Sequence, residues 1–231
     1  MIQNILETRV KENLIQKGCR FRFFHSYDLW QYGRLPAISE GVHMILCYIY
    51  EGMADFEITL LLHRLKNQGN KEILSIASSY ELMTAQSGLR YKPDKLIAEL
   101  TDLTKVEALI IPGGPINNNQ NDICNLIKVM VKEEKLVGAI CFAPQFLGRA
   151  GILKAYKYTT SCSEDTIQRL QVEDPFYRPN YREARVVKDR NIITAKGHAF
   201  IDFSMAVCGY LNIYESEEQL HEYFKPLKDK E

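Results

Sequence analysis

Val137-Gly138-Ala139-Ile140-Cys141-Phe142-Ala143-Pro144 is the stretch on which the reading of this chain turns. It begins as a short apolar run suited to a strand buried on both faces. The run ends on a cysteine, and helix-like sequence over 142–150 follows without a gap. A residue at so tight a strand-to-helix turn stands above the carboxyl edge of the sheet with its side chain exposed to the crevice, the mechanics of a nucleophile elbow. A thiol there faces a helix N-terminus, whose partial positive charge favours the thiolate and lowers the thiol pKa. Open α/β sheets bind ligands at that edge. The plainer account of Cys141 is a buried thiol at a turn that needs a small residue anyway.

Outward from this elbow, strand and helix patterns alternate. Residues 44–50 (MILCYIY), 72–77 (EILSIA) and 108–111 (ALII) read as strands, with an amphipathic helix over 56–65 between the first two. Short strands are predicted at 81–84 and 90–91 around a Gln86-Ser87-Gly88 turn, and a brief helical segment at 96–100. The polar run 117–121 leads into a helix over 122–133, and 158–161 reads as a strand. A hairpin joins 184–187 to 192–194, and helices over 200–211 and 215–224 close the chain. Such alternation predicts one doubly wound α/β domain over 43–231, a parallel sheet with helices on both faces.

Residues 1–42 stand outside that scheme. They carry six Lys/Arg and four Asp/Glu, with aromatics clustered in FRFFHSYDLW at 21–30. Two readings stay open: an appended arm that covers a surface or mediates assembly, or an extension incidental to the fold.

Composition narrows the function. The chain has 231 residues with 29 Lys+Arg against 29 Asp+Glu, which argues against a nucleic-acid binder, since phosphate contacts need a basic excess. No apolar stretch approaches the roughly 20 residues of a membrane helix. The six cysteines, at 19, 47, 124, 141, 162 and 208, form no CxxC pair, so no zinc or other metal site is expected. The first 18 residues carry no signal-peptide pattern. A reducing cytoplasm and free thiols are therefore the expectation.

Two further segments belong at the crevice. Ile111-Pro112-Gly113-Gly114 follows a strand, and its glycines bring backbone N–H groups close to a ligand. With the Phe142 N–H, the Gly114 N–H would form an oxyanion hole for an intermediate at Cys141; Pro115 has no N–H to offer. Gly52-Met53-Ala54-Asp55-Phe56-Glu57 follows the first strand and opens the first helix. It would set Glu57 over the crevice with a raised pKa, unless Glu57 is simply a helix N-terminal carboxylate. Asp55 reads as a helix N-cap. His198 is either a base acting through space on Cys141 or a helix-start residue bonded to backbone. Cys162 is a faint candidate for a resolving thiol; the other cysteines read as packing residues.

The ordered set Gly-Met-Ala-Asp-Phe-Glu57, Ile-Pro-Gly-Gly114 and Ala-Ile-Cys141-x-x-Pro144 resembles the DJ-1/PfpI superfamily (ThiJ/PfpI-like, with a class I glutamine amidotransferase-like fold). The resemblance covers roughly 43–212 and extends to Asn191-Ile-Ile-Thr-Ala-Lys-Gly197. It implies a flavodoxin-like sandwich, often a homodimer, with a reactive Cys141 and a protonated Glu57 bonded to the sulfur or its oxidised form. Glyoxalase- or deglycase-like chemistry on a small electrophile follows, without a cofactor. The rivals are a peptidase- or amidase-type hydrolase and a non-enzymatic redox sensor or binding domain whose Cys141 meets an oxidant. Peptidase members often carry His directly after the cysteine; here that residue is Phe142, which lowers the standing of the hydrolase.

Overall fold

A computed structural model describes residues 43–117 and 121–228; the reading of 1–42 lies outside the described residues. Seven strands form one sheet in the order β5-β2-β1-β6-β7-β9-β8. They are β1 (Met44–Tyr48), β2 (Glu72–Ala77), β5 (Lys95–Leu96), β6 (Val106–Ile111), β7 (Leu136–Ile140), β8 (Val186–Asp189) and β9 (Ile192–Ala195). All neighbours are parallel except the β8–β9 hairpin. The central strands β6 and β7 are almost wholly buried, which is why they read as unbroken apolar runs and not as alternating ones.

Helices cover both faces. On one side α1 (Phe56–Asn67) packs against α5 (Phe200–Tyr210), which in turn meets α6 (Glu217–Lys228). On the other, α2 (Asn121–Lys132) lies against β6, β7 and the short α3 (Pro144–Arg149); α4 (Glu164–Leu170) follows α3 in the chain. The inward stripe of α2, Ile123, Cys124, Leu126, Ile127 and Met130, follows the helical i, i+3, i+4 spacing. The chain runs from β1 out to β2 and β5, then crosses back to β6. The strand order thus reverses between β1 and β6, the kind of point at which open α/β sheets bind ligands.

A second, two-stranded sheet pairs β3 (Met83–Thr84) with β4 (Arg90–Tyr91) as an antiparallel hairpin. Its anchor corrects one expectation. Asp55 precedes α1, but its side chain makes no capping bond. Its Oδ2 accepts hydrogen bonds from Ser87 Oγ at 2.5 Å and Tyr91 Oη at 2.9 Å. Asp55 is buried and already in helical backbone geometry, so a hairpin donor reaches it before its own helix does. Burial pushes its carboxyl pKa up, but the two hydroxyl bonds outweigh that and hold it below 3.8.

Asp55→Ala is therefore expected to cost about 1–3 kcal/mol in urea denaturation. A depressed carboxyl stabilises above its unfolded pKa and loses that contribution as pH falls through the folded one. The parent should weaken on acidification in that window more than the alanine variant does.

Two local expectations fail. The 158–161 segment is not a ladder strand: Tyr158 alone makes an isolated bridge, to Tyr181. Thr159 N–H donates to Thr194 Oγ1 at 2.9 Å and Thr159 Oγ1 donates to the Ala184 carbonyl at 2.8 Å, so hydroxyl side chains supply bonds that a neighbouring strand would otherwise make. The helix after Cys141 starts at Pro144, because 141–143 form a tight turn closed by Ala143 N–H to the Ile140 carbonyl at 2.9 Å.

Candidate active site

Cys141 sits at φ +63°, the left-handed region that L-residues adopt at a cost. The surrounding backbone holds it there. Its N–H extends the sheet ladder by donating to the Ala195 carbonyl at 2.8 Å. Its carbonyl accepts from Thr160 Oγ1 at 2.6 Å and from Ser161 N–H at 3.0 Å. With both ends of the residue bonded, the side chain leaves the end of β7 half-buried, as a strand-to-helix elbow requires.

Glu57, in the first turn of α1, is 2% exposed. Its Oε2 accepts from Gly113 N–H at 2.8 Å, and its carboxyl lies beside the Cys141 sulfur in the space next to Gly113 and Gly197. Two glycines make this approach possible. A Cβ on Gly113 would lie 2.5 Å from both the Cys141 Cβ and Glu57 Oε2; one on Gly197 would lie 2.7 Å from Glu57 Oε1 and 2.9 Å from Sγ. No side chain fits at either position. Beneath them, Tyr50 Oη donates to the Pro112 carbonyl at 2.9 Å. The buried Gln145 ties the loop down, donating to the Pro115 carbonyl at 2.9 Å and accepting from Asn117 N–H at 2.8 Å.

The electrostatics differ from the expectation of a depressed thiol. Burial, then the Glu57 charge and the bond to it, push the Cys141 thiol up to about 12. The Ser161 hydroxyl and the Phe142 N–H pull in the opposite direction. Burial also raises the Glu57 carboxyl, against the bonds from Cys141 and Gly113 that lower it. A helix of one and a half turns cannot by itself offset the desolvation of two acids that share a buried pocket.

The structure brings Cys141, Glu57, Gly113 and the Phe142 N–H together. The Gly113 N–H is spent on Glu57, and Gly114 lies against the Tyr50 ring. His198 is exposed, in the 3-10 turn after β9; with Ser161, Lys196 and Glu183 it lines an open groove of about 550 Å³. The groups that shift the Cys141 thiol are Glu57, Ser161 and the Phe142 N–H. Cys162 is 1% exposed, its thiol pushed up by burial to about 11. Sequence reasoning missed Ser161, Thr160 and Gln145; for the first two the signal was the hydroxyl run Thr159-Thr160-Ser161 placed in a supposed strand.

Sheet order, elbow and buried carboxyl define a flavodoxin-like α/β protein with a cysteine at the sheet's carboxyl edge. The DJ-1/PfpI family model matches residues 43–209, and the chain belongs to that family. It is 27% identical over 157 residues to the deglycase TK1284 of Thermococcus kodakarensis, covering 66% of this chain and 89% of that one. It is 26% identical over 194 residues to the "uncharacterized protease YoaZ" of Bacillus subtilis, covering 78% and 89%. The crystal structure of a thiJ/pfpI family protein from Bacillus anthracis superposes with a TM-score of 0.71 at 26% identity, over 83% of this chain and 94% of that chain. Among the described residues no helix is long and apolar enough to cross a membrane.

Proposed function

We propose that this protein is a cysteine-dependent enzyme acting on small reactive carbonyl compounds, with Cys141 as nucleophile and Glu57 as proton carrier. The observation that carries the reading is the left-handed, half-buried cysteine at the end of β7, beside the buried Glu57 carboxyl. Sulfur and carboxyl titrate as a coupled pair. Burial, then the Glu57 charge and the bond to it, push the thiol up to about 12, so the pair gives up its second proton with difficulty. After loss of the first, one negative charge is left for two sites. The Ser161 hydroxyl and the Phe142 N–H favour the charged sulfur and burial favours the neutral carboxyl, and the working state is read as a thiolate beside a protonated Glu57.

The thiolate adds to the aldehyde carbon of a 2-oxoaldehyde. An S–C bond forms, the C=O π pair moves to oxygen, and that oxygen takes the Glu57 proton. The Gly114 and Phe142 N–H groups stabilise the oxygen as charge develops. Glu57, now a carboxylate, moves the proton from the attacked carbon to its neighbour, while the hydroxyl proton passes to the neighbouring oxygen, converting the hemithioacetal to the thioester of a 2-hydroxy acid. Water then cleaves the thioester, with His198 on the groove rim as the acceptor of the water proton. The sum is addition of one water to the oxoaldehyde.

The names of TK1284 and of the glutathione-independent glyoxalase DJR-1.2 of Caenorhabditis elegans, 28% identical over 166 residues, support this chemistry. The hydrolase reading draws on the name YoaZ but lacks a histidine beside Cys141. Oxidation of Cys141 is the second reading, favoured by the same donors around the sulfur, which would also bond its added oxygens.

We take the working form as a cytoplasmic homodimer. Phe56, Leu82 and Leu89 are 53%, 53% and 61% exposed; they lie at the start of α1 and on the hairpin segment that Asp55 ties to it, and a second copy would cover them. Light scattering should return twice the chain mass, and a single-chain mass at micromolar concentration would exclude this. Turnover of methylglyoxal by the parent protein against Cys141→Ser tests the reading as a whole.

A further inference from the structure

We propose that Ser161 is the third member of the reactive pair: its hydroxyl donates to the Cys141 sulfur, holds it as the thiolate, and receives it again when product leaves. The inference deepens the reading of the Cys141–Glu57 site and rests on it for the catalytic step alone.

Three contacts orient this hydroxyl. The Ser161 N–H donates to the Cys141 carbonyl at 3.0 Å, beside the Thr160 hydroxyl bond to the same oxygen at 2.6 Å. The nucleophile's own backbone thus fixes where residue 161 stands. Ser161 Oγ accepts from Gly197 N–H at 2.9 Å. A hydroxyl carries one proton and two lone pairs, so with a lone pair engaged by that amide its proton is directed elsewhere. The sulfur is the acceptor beside it: the same Gly197 stands so close to the sulfur that a Cβ there would be 2.9 Å from Sγ, and the Ser161 hydroxyl pulls the Cys141 thiol pKa down.

The other charged and titratable groups around the sulfur do different work. Glu57, from α1, competes for the same proton. Tyr50, at the end of β1, spends its hydroxyl on the Pro112 carbonyl. Lys196 is paired with Glu183, and His198 is exposed beyond Gly197. Ser161 is neutral and does not titrate in the working range, so its donation persists whatever the state of Glu57. That matters at product release. When water cleaves the thioester, the C–S bond breaks and its electron pair stays on sulfur. If Glu57 is ionised at that moment, the departing thiolate meets a neighbouring negative charge, and the Ser161 hydroxyl is the side-chain donor still in place.

The experiment is the pH dependence of iodoacetamide alkylation at Cys141, read by peptide mass spectrometry in the parent, Ser161→Ala and Ser161→Thr, with circular dichroism to confirm folding. The midpoint belongs to the pair's first proton loss. Ser161→Ala should raise it by about one pH unit, the scale of one hydrogen bond to a charged group, and slow alkylation at neutral pH several-fold. Ser161→Thr keeps the hydroxyl and should restore the parent midpoint. An alanine midpoint unchanged from the parent, or a threonine midpoint shifted as far as the alanine one, overturns the proposal. This readout needs no carbonyl turnover. A parent protein that alkylates as described but consumes no methylglyoxal would sink the enzyme reading and leave the Ser161 assignment standing.

Discussion

Cys141→Ser is expected to lower methylglyoxal consumption by at least about 1000-fold, to the background of buffer. A serine hydroxyl fits the elbow and keeps the backbone bonds, so the fold should survive. What is lost is the thiolate: a hydroxyl titrates far above a thiol, and neither Ser161 nor the Phe142 N–H stabilises an alkoxide enough to compensate. The contrast with the other cysteines makes the result specific. Burial pushes Cys47 and Cys208 up to about 12 as well, yet they are 2% and 0% exposed and sit in the core, out of a substrate's reach. Cys141 owes part of its rise to Glu57, a group that can take up the proton instead, and it is open to the crevice. Cys47→Ala and Cys208→Ala should cost stability but leave turnover within about two-fold of the parent. Equal losses in all three variants would place the reaction elsewhere. If the parent consumes no methylglyoxal while mild peroxide adds two oxygens at Cys141 alone, the redox reading takes over.

Glu57→Gln should reduce turnover by about 100- to 1000-fold, the usual worth of a positioned proton carrier, while leaving a folded protein. The amide is isosteric and still donates a hydrogen bond to sulfur, but it can neither give a proton to the substrate oxygen nor take one from carbon. Activity of the parent should rise with pH as the pair loses its first proton, and that limb should change in the glutamine variant, where the thiol titrates alone. Stability carries an independent sign. Burial raises the Glu57 pKa above 4.5 in the folded protein. A raised carboxyl contributes stability fully below its unfolded pKa, and the contribution is lost as pH rises through the folded one. The parent should therefore lose stability over that rise and Glu57→Gln should not, so their melting temperatures should draw apart toward alkaline pH. Parallel pH profiles of both activity and melting would show that Glu57 is only a structural carboxylate.

The elbow was legible because two independent patterns met at Cys141: a run buried on both faces, and helix-like sequence with no room for a loop. Glu57 and Gly113 were legible for a similar reason, since each follows a strand directly and short loops confine where they can go. Asp55 was misread because local rules favour an N-cap and nothing local reports a hairpin more than thirty residues away. The thiol's shift was misjudged for the same kind of reason. A helix dipole is a near-neighbour property, whereas burial of the sulfur beside Glu57, Gly113 and Gly197 depends on segments that only folding assembles.

By itself, then, the amino-acid order determined the class of fold, the order of the sheet-edge loops and the place of the elbow cysteine, because periodicity and punctuation act over a few residues at a time. Tertiary structure alone decided which hydrogen bonds those residues make. Ser161 illustrates the division: in the chain it is one of several hydroxyls in a polar run, and its relation to Cys141 exists only because the segment after α3 returns to the carbonyl of the elbow. Contacts of that kind depend on ångström-scale approach between distant segments, and the glycines at 113 and 197 leave the space in which that approach occurs.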